Sequence, residues 1–442
     1  TAPLWTLMLA VGYLLRAPFL LWTFLLGTVS LIWLVWVAMA LWRRLWPQQA
    51  ARAWIPGLVL AFSWPLIWAA ASGMETALFL ALAVTLLLLY ARLWAVGEEK
   101  GETRQPLWLG AVSGLLVLVR PEGVLLILLL VVGLIVGRRF RSVVVYGLGA
   151  AIPLLPYFLF NLSLSGQLWP NTFYAKQAEY TVLLERPLPA RTLNLLYFSL
   201  GGPAAGWRGM TGARLLLVPG LVAAGWLALR RDWSQRRLLY TLPLLWAGGH
   251  VFAYAWRLPV TYQHGRYLWP ALPVWILYGL AGSVHLLGRW RGRRDRLFSR
   301  VAALTFFVVL AIFLLLGAQA YATDVDFIQR EMVDVASWLR DNTPPDALIA
   351  AHDIGAIGYF AQRPILDLAG LISPEVTPLL SDEAAMARYV RASDARYLVT
   401  APGWPYPLLT DAPDTTLLYT TDYAWTREQG LNNMAVYRLP SS

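Results

Sequence analysis

With 442 residues, 58% of them hydrophobic and only 14% charged, the chain is too apolar for a water-soluble protein of its length. The absence of Cys excludes thiol catalysis, disulfides and thiolate metal sites, and four dispersed histidines (His250, His264, His285, His352) supply no HExxH or paired-His zinc motif. The net charge of +11 is carried by short loops between apolar blocks and not by a folded basic domain, so no nucleic acid is expected as a partner.

In chain order, the first apolar block, residues 4–15, is shorter than the roughly 20 residues a spanning helix needs. Spans are expected near 18–42, 54–70, 76–91, 107–119, 123–137, 143–160, 214–229, 238–256, 267–288 and 301–320, with a weaker one at 192–203. The loops between them divide by charge. Arg43, Arg44 and Arg52 share one loop, Arg92, Lys100 and Arg104 another, and Arg138, Arg139 and Arg141 a third. Arg230, Arg231, Arg236 and Arg237 follow, then Arg289, Arg291, Arg293, Arg294, Arg296 and Arg300. These are 19 of the 36 Lys and Arg, all in alternate loops, which the positive-inside rule assigns to the cytoplasm.

Residues 321–442 hold 16 of the 25 acidic residues, against 8 Arg, and no long apolar block. An amphipathic helix is expected over 327–340, stopped by Pro344-Pro345, with short strands at 347–351, 397–400, 416–420 and 434–439. The expected fold is a polytopic α-helical membrane protein of about 10–11 spans, with a transmembrane domain over 1–320. A small soluble α/β domain over 321–442 would lie outside the cytoplasm.

The polar residues of the apolar part gather in the loops assigned to the outer face. "LVLVRPEGVLLI" (116–127) sets Arg120-Pro121-Glu122 inside an apolar run, where proline turns one long helix into a hairpin. The trio reads either as a solvated turn with a local ion pair or as a site. "ASGMETALF" (71–79) places Glu75 at a second hairpin tip, "NLSLSGQLWPNTFYAK" (161–176) supplies Asn171, Tyr174 and Lys176, and "TYQHGRYLWPALP" (261–273) supplies His264, Arg266 and Tyr267. Ionisable groups at a membrane edge are functional candidates. Cations with aromatic neighbours suit a phosphate on an apolar tail, and the few carboxylates suit a general base that deprotonates an acceptor hydroxyl.

The motif set "SGMETALF", "VRPEG", "LWPNTFYAK", "HGRYLWPALP" and "HDIGAIGYFAQRPILDLAGL" resembles the GT-C superfamily of polytopic membrane glycosyltransferases. The resemblance covers essentially the whole chain and is to the bacterial group containing terminal arabinofuranosyltransferases and protein mannosyltransferase-like proteins. It implies a polyprenyl-phosphate-linked sugar as donor and transfer at the outer face of the cytoplasmic membrane. The acceptor would be a cell-envelope glycan, lipid or protein.

The family carries its catalytic Asp in the first outer loop, and "TAPLWTLMLA" (1–10) is similar to the stretch that follows that loop. The first span, the loop and the main base are therefore expected upstream of Thr1. Glu75 and Glu122 would then be secondary acids, and Arg120, Lys176, His264 and Arg266 would hold the donor phosphate. Asn171, Tyr174, Tyr267 and Asp353 would contact sugar or acceptor, and a divalent metal is a candidate cofactor.

Simpler structural roles stand beside these. They are a turn cap for Asn171 after Pro170, interfacial anchors for Tyr267 and Trp269, and turns for Asp353 and Asp367. With no Walker A or Rossmann motif, energy would come from the activated donor. A transporter or flippase, the alternative, calls for charges near the bilayer midplane and repeated halves, and the sequence offers neither. A receptor-like scaffold would leave the polar loops unexplained.

Overall fold

The computed structural model describes residues 2–94, 103–203, 210–230, 235–288, 293–402 and 405–440. Of the residues in the positive loops, Lys100, Arg231, Arg289 and Arg291 lie outside the described residues. The chain forms two compact units, residues 1–169 with 183–318, and residues 170–182 with 319–442.

The first unit is helical. It comprises α1 (Pro3–Leu14), α2 (Phe19–Leu45), α3 (Trp54–Ala61), α4 (Trp64–Ala71), α5 (Thr76–Leu93), α6 (Arg104–Val119), α7 (Val124–Val136) and α8 (Phe140–Ser165). The second unit takes α9 (Asn171–Glu179), and the first resumes with α10 (Leu188–Ser199), α11 (Val218–Leu229), α12 (Gln235–Arg257), helix Leu272–Gly288 and helix Arg293–Phe327 as far as residue 318. Among the described residues six helices are long and apolar enough to cross a membrane, and seven if the bent pair α3–α4 counts as one span. Among the described residues, the shorter apolar segments Arg104–Val119, Pro121–Val136 and Ala213–Leu229 lie where further spans were expected, Pro3–Leu14 is the block expected to be too short, and the weaker candidate at 192–203 is not among the apolar segments. The span expected over 54–70 is broken by a 57° bend, because Ser63 adopts an extended conformation ahead of Pro65 in the first turn of α4.

Helix α5 is the centre of this unit, buried along nearly its whole length and packed against α2 and α6. Helix α6 crosses α8 at backbone distance. A Cβ on Gly110 would stand 2.0 Å from the Tyr146 carbonyl oxygen, and one on Gly149 would stand 2.2 Å from that of Leu107. Small residues at a crossing let helices approach where lipid offers no hydrophobic drive.

The second unit is built on a five-stranded sheet of order β2-β1-β3-β5-β4. Its strands are β1 (Leu348–Ala351), β2 (Ile365–Asp367), β3 (Ala395–Thr400), β4 (Thr416–Thr420) and β5 (Ala435–Arg438). β1 runs parallel to β2 and β3, whereas β5 is antiparallel to β3 and β4. Alternation divides the core between the two faces. Ala350, Leu398 and Tyr437 pack with Met386 and Val390 of helix Glu383–Arg391, while Ile349, Val399 and Val436 pack with Val335 and Leu339 of helix Asp334–Asn342. The amphipathic helix expected over 327–340 is instead the end of a longer one, in which a π-helical turn, Ile328–Val333, joins Arg293–Phe327 to Asp334–Asn342. The turn carries the fully buried Glu331, whose carboxylate accepts hydrogen bonds from Thr421, Thr426, Asn433 and the Met434 amide.

The expected boundary at residue 320 differs from this division in one segment. Residues 170–182 lie between membrane-type helices in sequence but fold with the sheet unit, because α9 is polar and packs on the turn Pro374–Leu379.

Candidate functional site

Local geometry brings Glu75 and Arg120 together. Helix α4 ends at Ala71, Gly73 takes a left-handed conformation (φ +74°) that reverses the chain, and α5 begins at Thr76 with Glu75 at its cap position. Such a position favours a carboxylate through the helix dipole. On the neighbouring hairpin, Pro121 excludes its predecessor from helical geometry, so Arg120 is extended (φ −153°, ψ 132°) and α6 stops there.

The side chain of Arg120 folds inward. The residue is 6% exposed, with Nη2 2.6 Å from Glu122, Nε 3.7 Å from Glu75 and Nη1 3.4 Å from the Thr76 hydroxyl. Its guanidinium also lies over the rings of Phe79 and Tyr267, at 5.8 and 5.3 Å. The trio is therefore a buried ion-pair cluster and not a solvated turn. Glu122 is the more tightly held acid, since the Tyr254 hydroxyl donates to it at 2.6 Å. Glu75 has the longer ion pair and keeps about a quarter of its side-chain surface exposed (24%).

Tyr267 joins this cluster to a second cation. It is 5% exposed, which corrects its reading as an interfacial anchor, and its carbonyl meets His250 Nε2 at 2.8 Å. Arg266 lies 5.1 Å from the Tyr267 ring, donates to its hydroxyl at 3.3 Å and rests against the sulfur of Met74, the residue before Glu75. Among the described residues no carboxylate lies within 4 Å of Arg266. Before it, Gln263, His264 and Gly265 all have positive φ (48°, 59° and 73°), a strained run that stores of order 1–3 kcal/mol per non-glycine residue. The strain places the His264 ring edge-on to Trp64 at 5.2 Å and Trp68 at 5.8 Å, with Trp269, also buried, donating to the His264 carbonyl.

Asn171, Tyr174, Lys176 and Asp353 lie in the other unit. Asn171 opens α9 and donates its side-chain amide to the Gly370 carbonyl, a tertiary contact and not a local turn cap. Tyr174 and Lys176 are half-buried on the same helix. Glu179, at its end, lies 3.6 Å from His352, which in turn lies 3.9 Å from Asp353. Burial disfavours the His352 charge, but Asp353, Glu179 and Asp367 together hold its pKa above the ordinary histidine value. Asp367 is a buried turn residue, accepting from the amides of Ala369, Ile372 and Ser373.

The structure thus gathers Glu75, Arg120, Glu122, His264, Arg266 and Tyr267 in one unit and Asn171, Tyr174, Lys176 and Asp353 in the other. His250 and Tyr254 were not anticipated. Their signal is an i, i+4 polar pair on one face of the otherwise apolar "HVFAYAW". Among the described residues no three His, Asp or Glu side chains converge as metal ligands would.

Several comparisons bear on this arrangement. A domain of unknown function (DUF8728) matches residues 319–437, and no curated protein matches by sequence. ArnT from Cupriavidus metallidurans, solved bound to undecaprenyl phosphate, is similar over 99% of this chain and 87% of its own, at 16% identity and TM-score 0.59. The oligosaccharyltransferase AglB from Archaeoglobus fulgidus, in complex with an inhibitory peptide and a dolichol-phosphate, matches over 90% of this chain and 61% of its own (13% identity, TM-score 0.60). The mycobacterial arabinofuranosyltransferase AftD matches over 98% and 35% (15% identity, TM-score 0.53). The chain therefore spans less than two thirds of AglB and about a third of AftD. All three are GT-C proteins, and the chain has a GT-C-like fold, that of a multi-pass membrane protein.

Proposed function

We propose that the chain is a glycosyltransferase that moves a hexosyl or pentosyl group from a polyprenyl-phosphate donor. The acceptor is a cell-envelope glycan, lipid or protein at the outer face of the cytoplasmic membrane. The GT-C-like fold supports the reaction class, and one local observation carries the reading. Arg120 is fixed between Glu75 and Glu122, while Arg266 beside them has no carboxylate partner among the described residues. Because Arg120 is already neutralised, we place the donor phosphate on Arg266 with His264 near it, and take Arg120 as the residue that positions the two acids.

Glu75 then takes the proton of the acceptor hydroxyl as its oxygen attacks the anomeric carbon. The bond from that carbon to the phosphate oxygen breaks, and polyprenyl phosphate leaves as an anion stabilised by Arg266. In the smaller unit Asn171, Tyr174, Lys176 and Asp353 are the proposed polar contacts for substrate. No step passes through a metal.

Transfer from labelled polyprenyl-phosphate sugars in proteoliposomes tests the proposal. Arg266→Gln is expected to raise the donor KM about tenfold or more, and Glu75→Gln to lower kcat by roughly 10²–10⁴ with donor binding kept. Lipid-linked sugar crossing the bilayer unchanged, with no transfer to any acceptor, would replace this reading by a transporter.

A further inference from the structure

His250 has no part in the mechanism above, yet it is buried in the interior of α12, 1% exposed. Its Nε2 lies 2.8 Å from the Tyr267 carbonyl oxygen. A carbonyl oxygen only accepts, so Nε2 carries the proton and donates. The chain around Tyr267 explains why a donor is brought there. Arg266–Ala271 is a 3-10 turn, in which a carbonyl is served by the N–H three residues on. For Tyr267 that residue is Pro270, which has no N–H to give. His250 supplies a donor from another helix.

The segment held in this way carries Arg266. Gln263, His264 and Gly265 precede it with positive φ, and backbone of that kind persists only where its surroundings hold it. Gly265 lies against α10, where a Cβ would stand 2.2 Å from the Phe198 ring, and His250 fixes the main chain one residue beyond Arg266. The side chain of Tyr267 is also the platform for the Arg266 guanidinium, through its ring at 5.1 Å and its hydroxyl at 3.3 Å. One turn along the same face of α12, Tyr254 donates to Glu122, and its ring lies 5.4 Å from that of Tyr267. Two neighbouring side chains of α12 thus hold the Arg266 segment and the acid cluster respectively. We propose that His250 is a positioning residue for the donor. Through Tyr267 it sets where the Arg266 guanidinium stands relative to Glu75 and Glu122, and so how tightly the donor phosphate is held. The inference rests on the assignment of that phosphate to Arg266.

The test uses the full chain in detergent, titrated with polyprenyl phosphate and read by native mass spectrometry. H250N and H250Q both place a neutral amide in the helix, but only the longer side chain brings its N–H to the position of Nε2. H250N is expected to weaken binding about tenfold, as loss of one buried hydrogen bond would, and H250Q to stay within about threefold of the native chain. In proteoliposomes the donor KM should follow the same order while kcat changes less than about threefold, a split that a general loosening of the fold would not give. If H250N fails to fold, the imidazole 15N signals of His250 in the native chain decide. A proton on Nε2 and a shift that moves when polyprenyl phosphate binds are expected, and a proton on Nδ1 alone or a shift indifferent to the lipid would overturn the proposal. Native-like binding by H250N, or equal weakening of H250N and H250Q, would also overturn it, and would leave the phosphate assignment standing where R266Q binds weakly. Native-like binding by R266Q would overturn the assignment itself and this proposal with it.

Discussion

Arg120 shows how much one buried charge depends on its partners. Replacing it alone by Met leaves two partly buried carboxylates without their cation, and the expected loss is about 3 kcal/mol, the lower end for a fully buried pair. Replacing Arg120 and Glu122 together by Met removes a charge of each sign, so melting of the double variant in detergent is expected to recover most of that loss while sugar transfer stays abolished. Recovery of both would make the pair merely structural. The sequence displayed the break at Pro121, but not the burial. The groups that cover Arg120 come from three other segments, through Glu75 with Phe79, Tyr254 and Tyr267, and no local window contains them. His250 and Tyr254 were legible as an i, i+4 pair, but they lie inside a membrane-type helix and not in the outer-loop motifs, which hid their role.

At the scale of elements, the membrane helices were readable because long apolar blocks have few other solutions. β2 was not, since three residues after a proline leave no alternation to read. Nor was the assignment of α9 to the sheet unit, which rests on tertiary contacts, the Asn171–Gly370 hydrogen bond and the Glu179–His352 ion pair. The second of these titrates. A histidine whose pKa is raised on folding contributes its full stabilisation below the unfolded value, about 6.5, and loses it as pH rises through the higher folded value. Amide exchange in α9, corrected for the intrinsic rate, is therefore expected to show protection that falls as pH is raised from 6 to 8. His352→Gln should flatten the dependence, and an identical slope in that variant would remove His352 from the docking of α9.

For the whole molecule, the distribution of arginine predicts an orientation that labelling can test. A chain with no native Cys gives a clean background for labelling. Gln167→Cys and Gln263→Cys, at exposed positions, are expected to react with an impermeant maleimide added outside intact cells, and Arg141→Cys only after permeabilisation. The reverse pattern would place Glu75 and Arg266 on the cytoplasmic side and remove the basis for transfer at the outer face.

The division of the chain has a temporal side as well. Residues 170–182 leave the ribosome long before residues 319–442, with which they fold. At about 5–20 residues per second the intervening segment takes roughly 7–30 s to make. Throughout that interval α9 has no sheet to rest on, while apolar helices enter the bilayer on either side of it. Its polar composition, "NTFYAKQAE", lets it wait in water without joining them. The sequence of α9 thus answers to the order of synthesis as well as to the finished contacts, and the sheet unit is complete only once the far end of the chain has been translated.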